Sequence, residues 1–339
     1  MRETLANVFR PTRFEDVVGQ EAVVKVLQRQ AITKTFRNCY LLTGPSGTGK
    51  TTLARIFANE INCGKGSPIE IDAASNNGVD NVRDIIDKAN QRALDSEYKI
   101  FIIDECHMLT IQGWNAFLKC IEEPPRYTIF IFCTTNPEKI PATIQNRVQR
   151  FTLSKIRADD IKKRLIYICQ QEGASNFEDA CGYIANVSKG GMRDAIANLD
   201  KCLSYSNDLS VEECVRILGG ISYETLFRVT EKILDKDNSV LGDVDDMFDR
   251  GVDLKMFVDS YLTFLLDCVK YCYSKNIMTT TVPPSMEGRL RDITGVDYGD
   301  HGKFFALFAE KVLEIKSAIK YDGNIKDTVE TMLLTLCRK

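Results

Sequence analysis

The sequence predicts an α/β domain with a parallel sheet and helices on both of its faces, followed by two all-helical domains. Residues 1–150 alternate between short apolar runs and amphipathic segments, which is the pattern of strands and helices in a parallel sheet. The runs "IFIID" and "TIFIFCTT" are almost wholly apolar, as strands buried on both faces should be. From about residue 156 onward, the apolar residues recur at helical spacing instead.

Each element of the α/β region can be placed from its composition. The expected strands are mostly rich in Ile, Val, Phe or Tyr, and the expected helices bury one apolar face. We expect strands at 39–43, 69–72, 99–104, 128–134 and 148–153. We expect helices at 20–33, 50–62, 79–94, 111–122 and 141–146.

The chain is too long for one ordinary core and divides into three predicted domains. The α/β domain spans 1–155, a small helical domain spans 156–218, and an all-helical domain spans 219–339. The Gly pair at 219–220 is a plausible linker. In the last domain we expect a long loop at 276–300, around "TTTVPPS".

Composition limits the class of protein. The chain is 44% hydrophobic and 27% charged with a net charge of −3, which excludes a strongly basic DNA-coating protein but permits local basic patches. Its twelve cysteines include no C-x-x-C pair, so we expect most of them to be small core residues in a reducing compartment. No apolar stretch approaches 18 residues and the N-terminus is polar, so we expect a cytoplasmic protein without membrane contact.

The segment "GPSGTGKTT" carries the strongest chemical signal. Gly44, Gly49, Lys50 and Thr51 fit the P-loop pattern G-x-x-x-x-G-K-[ST]. Glycines let backbone N–H groups turn inward, and the positive end of the following helix attracts an anion. Lys50 would reach the β- and γ-phosphates of a nucleotide, and the Thr51 hydroxyl would ligate Mg²⁺.

A second signal lies in "KIFIIDECHML", where a buried strand ends in an acidic pair. In a P-loop ATPase, the aspartate at such a strand end helps to hold Mg²⁺, and here that residue is Asp104. Glu105 follows directly and is placed to polarise an attacking water. A solvated acidic turn is the alternative, but an acidic pair that ends an apolar strand downstream of a P-loop favours catalysis.

Two further segments offer polar groups to a phosphate. A strand ends in Thr134-Thr135-Asn136, whose side chains could sense the γ-phosphate or orient water. Arg147 follows and could serve its own site, a neighbouring subunit's site, or only a surface salt bridge. Arg193 lies in the first turn of a predicted helix, where the dipole disfavours a cation. This placement suggests a ligand, although pairing with Asp194 is the alternative.

Seven motifs together resemble the bacterial DNA polymerase III gamma/tau family, which supplies the AAA+ ATPase of the sliding-clamp loader. They are "FRPTRFEDVVGQE", "GPSGTGKTT", "IDAASNNGVDNVRDI", "IIDECHML", "NAFLKCIEEPP", "TTNPEKIPATIQNR" and "GGMRDAIANLD". The resemblance is dense over residues 1–205 and weaker beyond. It implies a P-loop AAA+ domain, a helical lid domain and a C-terminal helical collar that assembles the ring.

The resemblance also implies roles for individual residues. Asp104 and Glu105 match the Walker B pair, Thr135 matches sensor 1, Arg193 matches sensor 2, and Arg147 matches the arginine finger that acts on a neighbour. The residues implied to bind ATP are Phe9, Arg10, Pro11, Val17, Val18, Gly44, Pro45, Ser46, Gly47, Thr48, Gly49, Lys50, Thr51 and Thr52. The family places "ASNNGVDNVRDI" at the DNA channel, so Asn76, Asn77 and Arg83 are candidate DNA contacts.

This chain departs from the family pattern in three places. Family members usually carry a four-cysteine zinc module after "NC", whereas here Cys63 is followed by "GKGSPIEIDAAS". One cysteine cannot build a tetrahedral site, so we expect no zinc. The usual Ser-Arg-Cys finger motif is Asn146-Arg147-Val148 here. The chain ends at Lys339, where the three-domain core should end, so we expect no tau extension.

The resemblance implies a motor that uses ATP and Mg²⁺. ATP binding would assemble a ring of five subunits that opens a sliding clamp, and primer-template DNA would trigger the hydrolysis that releases the clamp closed around DNA. One alternative is a non-hydrolysing structural subunit of the same ring. Another is a different AAA+ DNA-remodelling ATPase, such as a helicase loader or a branch-migration motor.

Overall fold

A five-stranded parallel sheet forms the centre of the α/β region in the computed structural model, which describes residues 3–295, 302–319 and 324–337. The strand order is β2-β3-β4-β1-β5, with every neighbouring pair parallel. This arrangement confirms the predicted fold class. The strands are β1 (Cys39–Thr43), β2 (Ile69–Asp72), β3 (Lys99–Asp104), β4 (Thr128–Thr134) and β5 (Gln149–Thr152).

Helices connect the strands and predominate in the described residues after β5. Those of the first half are α1 (Leu5–Val8), α2 (Glu21–Thr33), α3 (Lys50–Ile61), α4 (Val79–Ala89), α5 (Ile111–Glu122), α6 (Ala142–Gln145), α7 (Ala158–Glu172) and α8 (Phe177–Val187). Those of the second half are α9 (Met192–Tyr205), α10 (Val211–Ile217), α11 (Tyr223–Leu234), α12 (Val240–Asp249), α13 (Leu254–Ser274), α14 (Glu287–Thr294), α15 (Gly302–Ile319) and α16 (Ile325–Cys337).

The central strands bury side chains on both faces of the sheet, because alternate residues of a strand point to opposite sides. In β4, Phe130 and Phe132 pack into one core with residues of α4 and α5. Ile129 and Ile131 of the same strand pack into a second core with residues of α2 and α3. Every residue of β1 and β4 is buried. The two cores explain why these strands read as continuous apolar runs.

The parallel sheet brings three polar segments to one edge. Strands β1, β4 and β3 are neighbours, and their carboxyl ends lead into the P-loop, the Thr135 turn and the acidic pair respectively. In open α/β sheets, ligands bind at the carboxyl ends of the strands. The topology therefore gathers segments that are up to ninety residues apart in the chain.

The chain separates into two compact units. One contains the residues up to Ile168 together with Val187–Asp200, and the other contains Cys169–Asn186 and the residues from Lys201 onward. The boundary passes through α7 and α9, so these helices contribute to both units. The three-domain division at 155 and 218 stays a prediction.

Helix α4 is shorter than its sequence pattern predicts. It ends at Ala89, with Asn90 as its C-cap, whereas the pattern favours a helix to residue 94. Two side chains from neighbouring strands donate hydrogen bonds to carbonyl groups at this end of the helix. Lys99 Nζ donates to Lys88 O at 2.7 Å, and Thr128 Oγ1 donates to Ala89 O at 2.8 Å. These tertiary hydrogen bonds satisfy carbonyls that a longer helix would use internally.

The predicted loop at 276–300 is partly wrong, because it contains α14. This helix buries Leu290 and Ile293 in the large helical core of the second unit. Its eight residues include few other apolar side chains, so the helical spacing of apolar residues is too weak to predict this helix from the sequence. Residues 296–300 of the predicted loop lie outside the described part of the chain.

The core of the second unit is helical, as predicted. Helices α13 and α15 supply most of its aromatic side chains, including Phe257, Tyr261, Phe264, Phe305 and Phe308. Within residues 3–295, 302–319 and 324–337, no helix combines the length and the apolar character needed to cross a membrane.

Candidate functional site

The P-loop bends sharply between β1 and α3, and its glycines make the bend possible. Gly44 and Gly47 have φ angles of 148° and 73°, which side-chain-bearing residues rarely adopt. A Cβ at Gly44 would collide with the carbonyl oxygen of Leu153. The loop ends at Gly49, and the first turn of α3 follows with backbone N–H groups that have no partners within the helix. The loop therefore offers a cradle of donors for an anion.

The Lys50 side chain is held inside this loop. Its Nζ donates to the carbonyl oxygens of Gly44 at 3.0 Å and Pro45 at 2.9 Å, and the residue is only 7% exposed. Burial lowers the pKa of this ammonium group, and the negative charge of Glu105 opposes that shift. A buried cation that contacts two neutral carbonyls fits a site for phosphate, whose charge would compensate it.

Thr51 and Asp104 form the candidate magnesium site. Thr51 Oγ1 donates to Asp104 Oδ2 at 2.7 Å, which joins the start of α3 to the end of β3. The second carboxylate oxygen, Oδ1, accepts the backbone N–H of Glu105 at 3.0 Å. Hydroxyl and carboxylate oxygens are the ligands that Mg²⁺ prefers beside phosphate and water. The donor set therefore fits the ion that the sequence predicts.

Glu105 has an unusual backbone conformation. Its φ is 45° and its ψ is 41°, in the left-handed region that few residues other than glycine adopt. Its Oε2 accepts the Thr135 hydroxyl at 3.2 Å, so the candidate water activator touches the candidate phosphate sensor. Backbone strain of this kind is concentrated at functional sites, where the surrounding fold compensates for it.

The N-terminal segment forms the wall opposite the P-loop. Arg10 Nε donates to Thr52 Oγ1 at 3.1 Å, which ties this segment to the first turn of α3. Burial lowers the pKa of the Arg10 guanidinium, and the nearby Arg55 lowers it further. Arg164 of α7 donates to the carbonyl oxygen of Phe9 at 2.9 Å. These contacts position the apolar side chains that the sequence predicts for a base pocket.

The start of α9 contacts the P-loop directly. The Met192 N–H donates to Gly47 O at 3.0 Å, and a Cβ at Gly47 would lie 3.1 Å from Gly191 Cα. Glycines at both positions permit this close approach. The contact brings Arg193 to the edge of the cleft, near the phosphate cradle.

One cleft collects most of the predicted nucleotide residues. Gly44, Pro45, Thr135 and Arg147 do not line it, although Gly44 and Pro45 bond Lys50 and Thr135 bonds Glu105. Ile196 also lines the cleft but was not expected there from the sequence. It lies one helical turn after Arg193, and that spacing could have indicated it. The lining comprises Ala6, Asn7, Phe9, Arg10, Pro11, Asp16, Val17, Val18, Ser46, Gly47, Thr48, Gly49, Lys50, Thr51, Thr52, Asp104, Glu105, Ile156, Arg164, Met192, Arg193 and Ile196.

Arg147 lies outside the cleft and is ion-paired within its own chain. Its Nη2 lies 2.7 Å from Glu122 Oε1, and its Nη1 donates to Thr143 O at 2.7 Å. The side chain is 40% exposed, so another molecule can reach it. The arrangement fits either the surface salt bridge or the role towards a neighbouring subunit that the sequence left open.

The three candidate DNA contacts lie between β2 and the middle of α4. Asn76 Nδ2 donates to Asp72 O at 3.0 Å, and Asn77 O accepts the N–H of Thr110 at 3.2 Å. Both asparagines therefore stabilise the connection itself. Arg83 is exposed and ion-paired to Asp80 at 3.0 Å, a bond that solvent weakens. Because this ion pair is exposed, the Arg83 side chain can turn towards a phosphate.

Comparison with known sequences finds DNA polymerase III subunits. The family described as DNA polymerase III, delta subunit matches residues 69–157. The Bacillus subtilis DNA polymerase III subunit tau is 39% identical over 314 residues, which are 86% of this chain and 54% of that protein. The DNA polymerase III subunit gamma of Buchnera aphidicola is 33% identical over 258 residues, covering 70% of this chain and 71% of that protein.

This chain spans about half the length of several of these relatives, among them the gamma/tau subunit of Mycoplasma genitalium, which is 31% identical over 301 residues and of which 50% is covered. Among solved structures, the RuvB Holliday junction branch migration motor of Thermotoga maritima matches 67% of this chain and 79% of its own. The TM-score is 0.52 at 19% sequence identity, so this likeness concerns the fold alone.

Proposed function

Because the chain belongs to the DNA polymerase III gamma/tau family, we propose that it is an ATP-hydrolysing subunit of a sliding-clamp loader. In this proposal, ATP binding assembles a ring that opens the clamp. Primer-template DNA then triggers hydrolysis, and the clamp closes on the DNA. The partners are other clamp-loader subunits, the clamp and primed DNA, in a ring of five subunits.

One observation carries the proposal. Three chemical groups meet at the carboxyl ends of three neighbouring strands. The buried ammonium group belongs to Lys50, the hydroxyl–carboxylate pair to Thr51 and Asp104, and the second carboxylate to Glu105. A subunit that only supports the ring has no need of this combination. It supports a hydrolase over the structural alternative.

The residues divide the proposed reaction between them. Lys50 and the loop N–H groups bind the β- and γ-phosphates, and Thr51 with Asp104 holds Mg²⁺, which when bound neutralises phosphate charge. Glu105 accepts the proton of the attacking water, while Thr135 orients the carboxylate and senses the γ-phosphate. Arg193 contacts the nucleotide from the α9 side.

The proposal extends to groups beyond this cleft. Arg147 would release Glu122 and stabilise charge on the ATP of an adjacent subunit, as an arginine finger acting in trans does. Asn76, Asn77 and Arg83 would face DNA. The absence of zinc also stays a prediction, because Cys63 alone cannot form a four-ligand site.

Two substitutions test the chemistry at the centre of the proposal. Lys50→Ala should abolish ATP binding, since the triphosphate loses its main buried cation. Glu105→Gln should bind ATP as the unmodified chain does but hydrolyse it about 10²–10⁴-fold more slowly, because it cannot accept a proton. Calorimetric titration with ATP and a phosphate-release assay measure the two properties separately.

The same assay separates the alternatives. A clamp loader should hydrolyse ATP faster when both a sliding clamp and primed DNA are present. A structural subunit would show no hydrolysis under any of these conditions. A branch-migration motor or a helicase loader would respond to its own DNA substrate or helicase and not to the clamp. Wild-type turnover by Glu105→Gln would remove the proposed role of Glu105.

A further inference from the structure

The ring of His107 connects Glu105 to the end of β4. His107 Nδ1 lies 3.2 Å from Glu105 Oε2, and His107 Nε2 lies 3.3 Å from Asn136 Nδ2. The histidine belongs to a short 3-10 helix, Cys106–Met108, that follows Glu105 directly. Its side chain is only 9% exposed, so water competes little for these contacts.

The two contacts select one form of the neutral ring. An ionised carboxylate offers only lone pairs, so this close approach of Nδ1 to Oε2 favours the form of the neutral ring that carries its proton on Nδ1. Nε2 is then an acceptor, and Asn136 presents its NH₂ group to it. If the Asn136 amide were reversed, its oxygen would face Nε2, and Nε2 would have to carry the proton. Nδ1 would then direct a lone pair at the negatively charged carboxylate, which is unfavourable. The Glu105 contact therefore also fixes the orientation of Asn136.

Three consecutive residues at the carboxyl end of β4 contact this histidine and Glu105. With the proton on Nδ1, Thr134 Oγ1 accepts the His107 Nδ1–H at 3.1 Å, and it also accepts the Asn136 N–H at 3.0 Å. Thr135 donates to the same Glu105 oxygen, Oε2, that His107 contacts. In the described part of the chain, the hydrogen bond from Thr135 and the close contact with His107 Nδ1 both involve Oε2, and no side-chain hydrogen bond to Oε1 is seen.

We propose that His107 is a positioning residue for ATP hydrolysis. Its Nδ1–H, together with Thr135, anchors Oε2 of Glu105 and leaves Oε1 to face the attacking water. Asn136 holds the ring in the required form, so a movement of the β4 end at the γ-phosphate is transmitted to the carboxylate. This inference rests on the proposed hydrolysis, but the proton on Nδ1 can be examined without it.

Two replacements at His107 separate the hydrogen bond from the space the ring fills. His107→Phe keeps a ring but removes both nitrogens. His107→Asn carries an amide N–H where Nδ1 stands and loses the link to Asn136. His107→Phe should lower kcat about 10–100-fold and leave KM for ATP within about threefold, because a misplaced catalytic group affects turnover before binding. His107→Asn should give an intermediate kcat.

A double substitution shows whether His107 acts through Glu105. In the Glu105→Gln background, His107→Phe should cause no further loss of kcat, because the group it positions is already inactive. A full additional loss would mean that the histidine acts elsewhere. A rise in KM with unchanged kcat would make it a structural or binding residue and would overturn the inference.

Nuclear magnetic resonance of ¹⁵N-histidine tests the contact without any activity. The chain has only two histidines, so the His107→Asn spectrum assigns the ring of His107 by difference. We expect a proton on Nδ1, and a ring without one would contradict the proposal. If the unmodified chain failed to hydrolyse ATP but showed this proton, the proposed function would fail while the hydrogen bond stood.

Discussion

At the scale of single residues, Tyr40 shows how burial changes the chemistry of a side chain. Tyr40 lies in β1, fully buried in contact with the rings of Phe57 and Phe151. Its hydroxyl accepts the Arg37 N–H at 2.7 Å and donates to Gln30 Oε1 at 3.0 Å. Burial raises the pKa of Tyr40 to about 12, although the hydrogen bond from Arg37 opposes the shift.

This shift predicts a loss of stability in alkali. The folded pKa lies above the ordinary value near 10, so the stabilisation is complete below pH 10 and is lost between pH 10 and 12. Over that range the free energy of unfolding should fall by about 1.4 kcal/mol per pH unit for this group. In Tyr40→Phe, the free energy of unfolding should decrease less steeply between pH 10 and 12. At neutral pH it should be lower by about 1 kcal/mol, because the hydrogen bonds of the hydroxyl are lost.

Urea unfolding at several pH values measures both effects. Tyr205→Phe is the matched control, because Tyr205 is 61% exposed and should leave the pH dependence unchanged. Equal slopes in Tyr40→Phe and the unmodified chain would show that Tyr40 does not govern alkaline unfolding.

At the scale of elements, side chains distant in sequence decide where helices lie. Helix α14 is attached to α11 by Arg289, whose Nε and Nη2 donate to the two carboxylate oxygens of Glu231 at 2.9 Å each. Nη1 donates to Glu224, and the guanidinium lies 4.9 Å from the centre of the Phe227 ring. The two carboxylates raise the pKa of Arg289. A short helix with two buried apolar residues thereby gains a fixed position.

Removing this attachment should destabilise the second unit. The Arg289 side chain is 32% exposed, so solvent screens part of the attraction, and we expect Arg289→Ala to lower the free energy of unfolding by about 1–2 kcal/mol. Arg289→Lys should recover only part of this, because an ammonium group cannot bond both oxygens in the same plane.

Arg250→Ala is the control for the loss of an arginine. Its ion pair with Asp246 is 3.9 Å long and the side chain is 78% exposed, so we expect little effect on stability. If Arg289→Ala proved no more harmful than Arg250→Ala in urea unfolding, the bidentate bond would not be what holds α14.

At the scale of the whole molecule, the proposed ring mechanism depends on Arg147. If it acts on a neighbour's ATP, its charge matters only in the assembled ring. Arg147→Ala should therefore leave ATP binding by the isolated chain near normal and lower clamp- and DNA-stimulated hydrolysis by about three orders of magnitude. ATP titration and phosphate release measure the two.

Glu122→Gln is the matched control, since it breaks the same ion pair but keeps the arginine. It should leave stimulated hydrolysis largely intact. Mixing Arg147→Ala chains with Lys50→Ala chains adds a second readout, because the residual rate should then depend on the mixing ratio. Weaker ATP binding by isolated Arg147→Ala, or unaffected stimulated hydrolysis, would make Arg147 a local structural residue.

The sequence alone determined the sheet and the chemical classes of the cleft residues. Strands β1 to β4 lie at their predicted bounds. For β1, β3 and β4 the reason is that residues buried on both faces give an apolar run between turns, whereas β2 shows the alternating pattern of a half-buried strand. The P-loop was equally plain, since its glycines and Lys50 are required by local geometry within one short segment. These features depend on residues that are close together in the chain, so the sequence alone is enough to predict them.

Only the tertiary structure decided what depends on distant neighbours. The early end of α4, the presence of α14 and the contacts of His107 with Glu105 and Asn136 arise where separate segments meet. A histidine three residues after Asp104 carries no periodic signal of its role. Its partner Asn136 is brought beside it because β3 and β4 are hydrogen-bonded neighbours. Contacts of this kind are set by how the sheet folds and not by spacing along the chain.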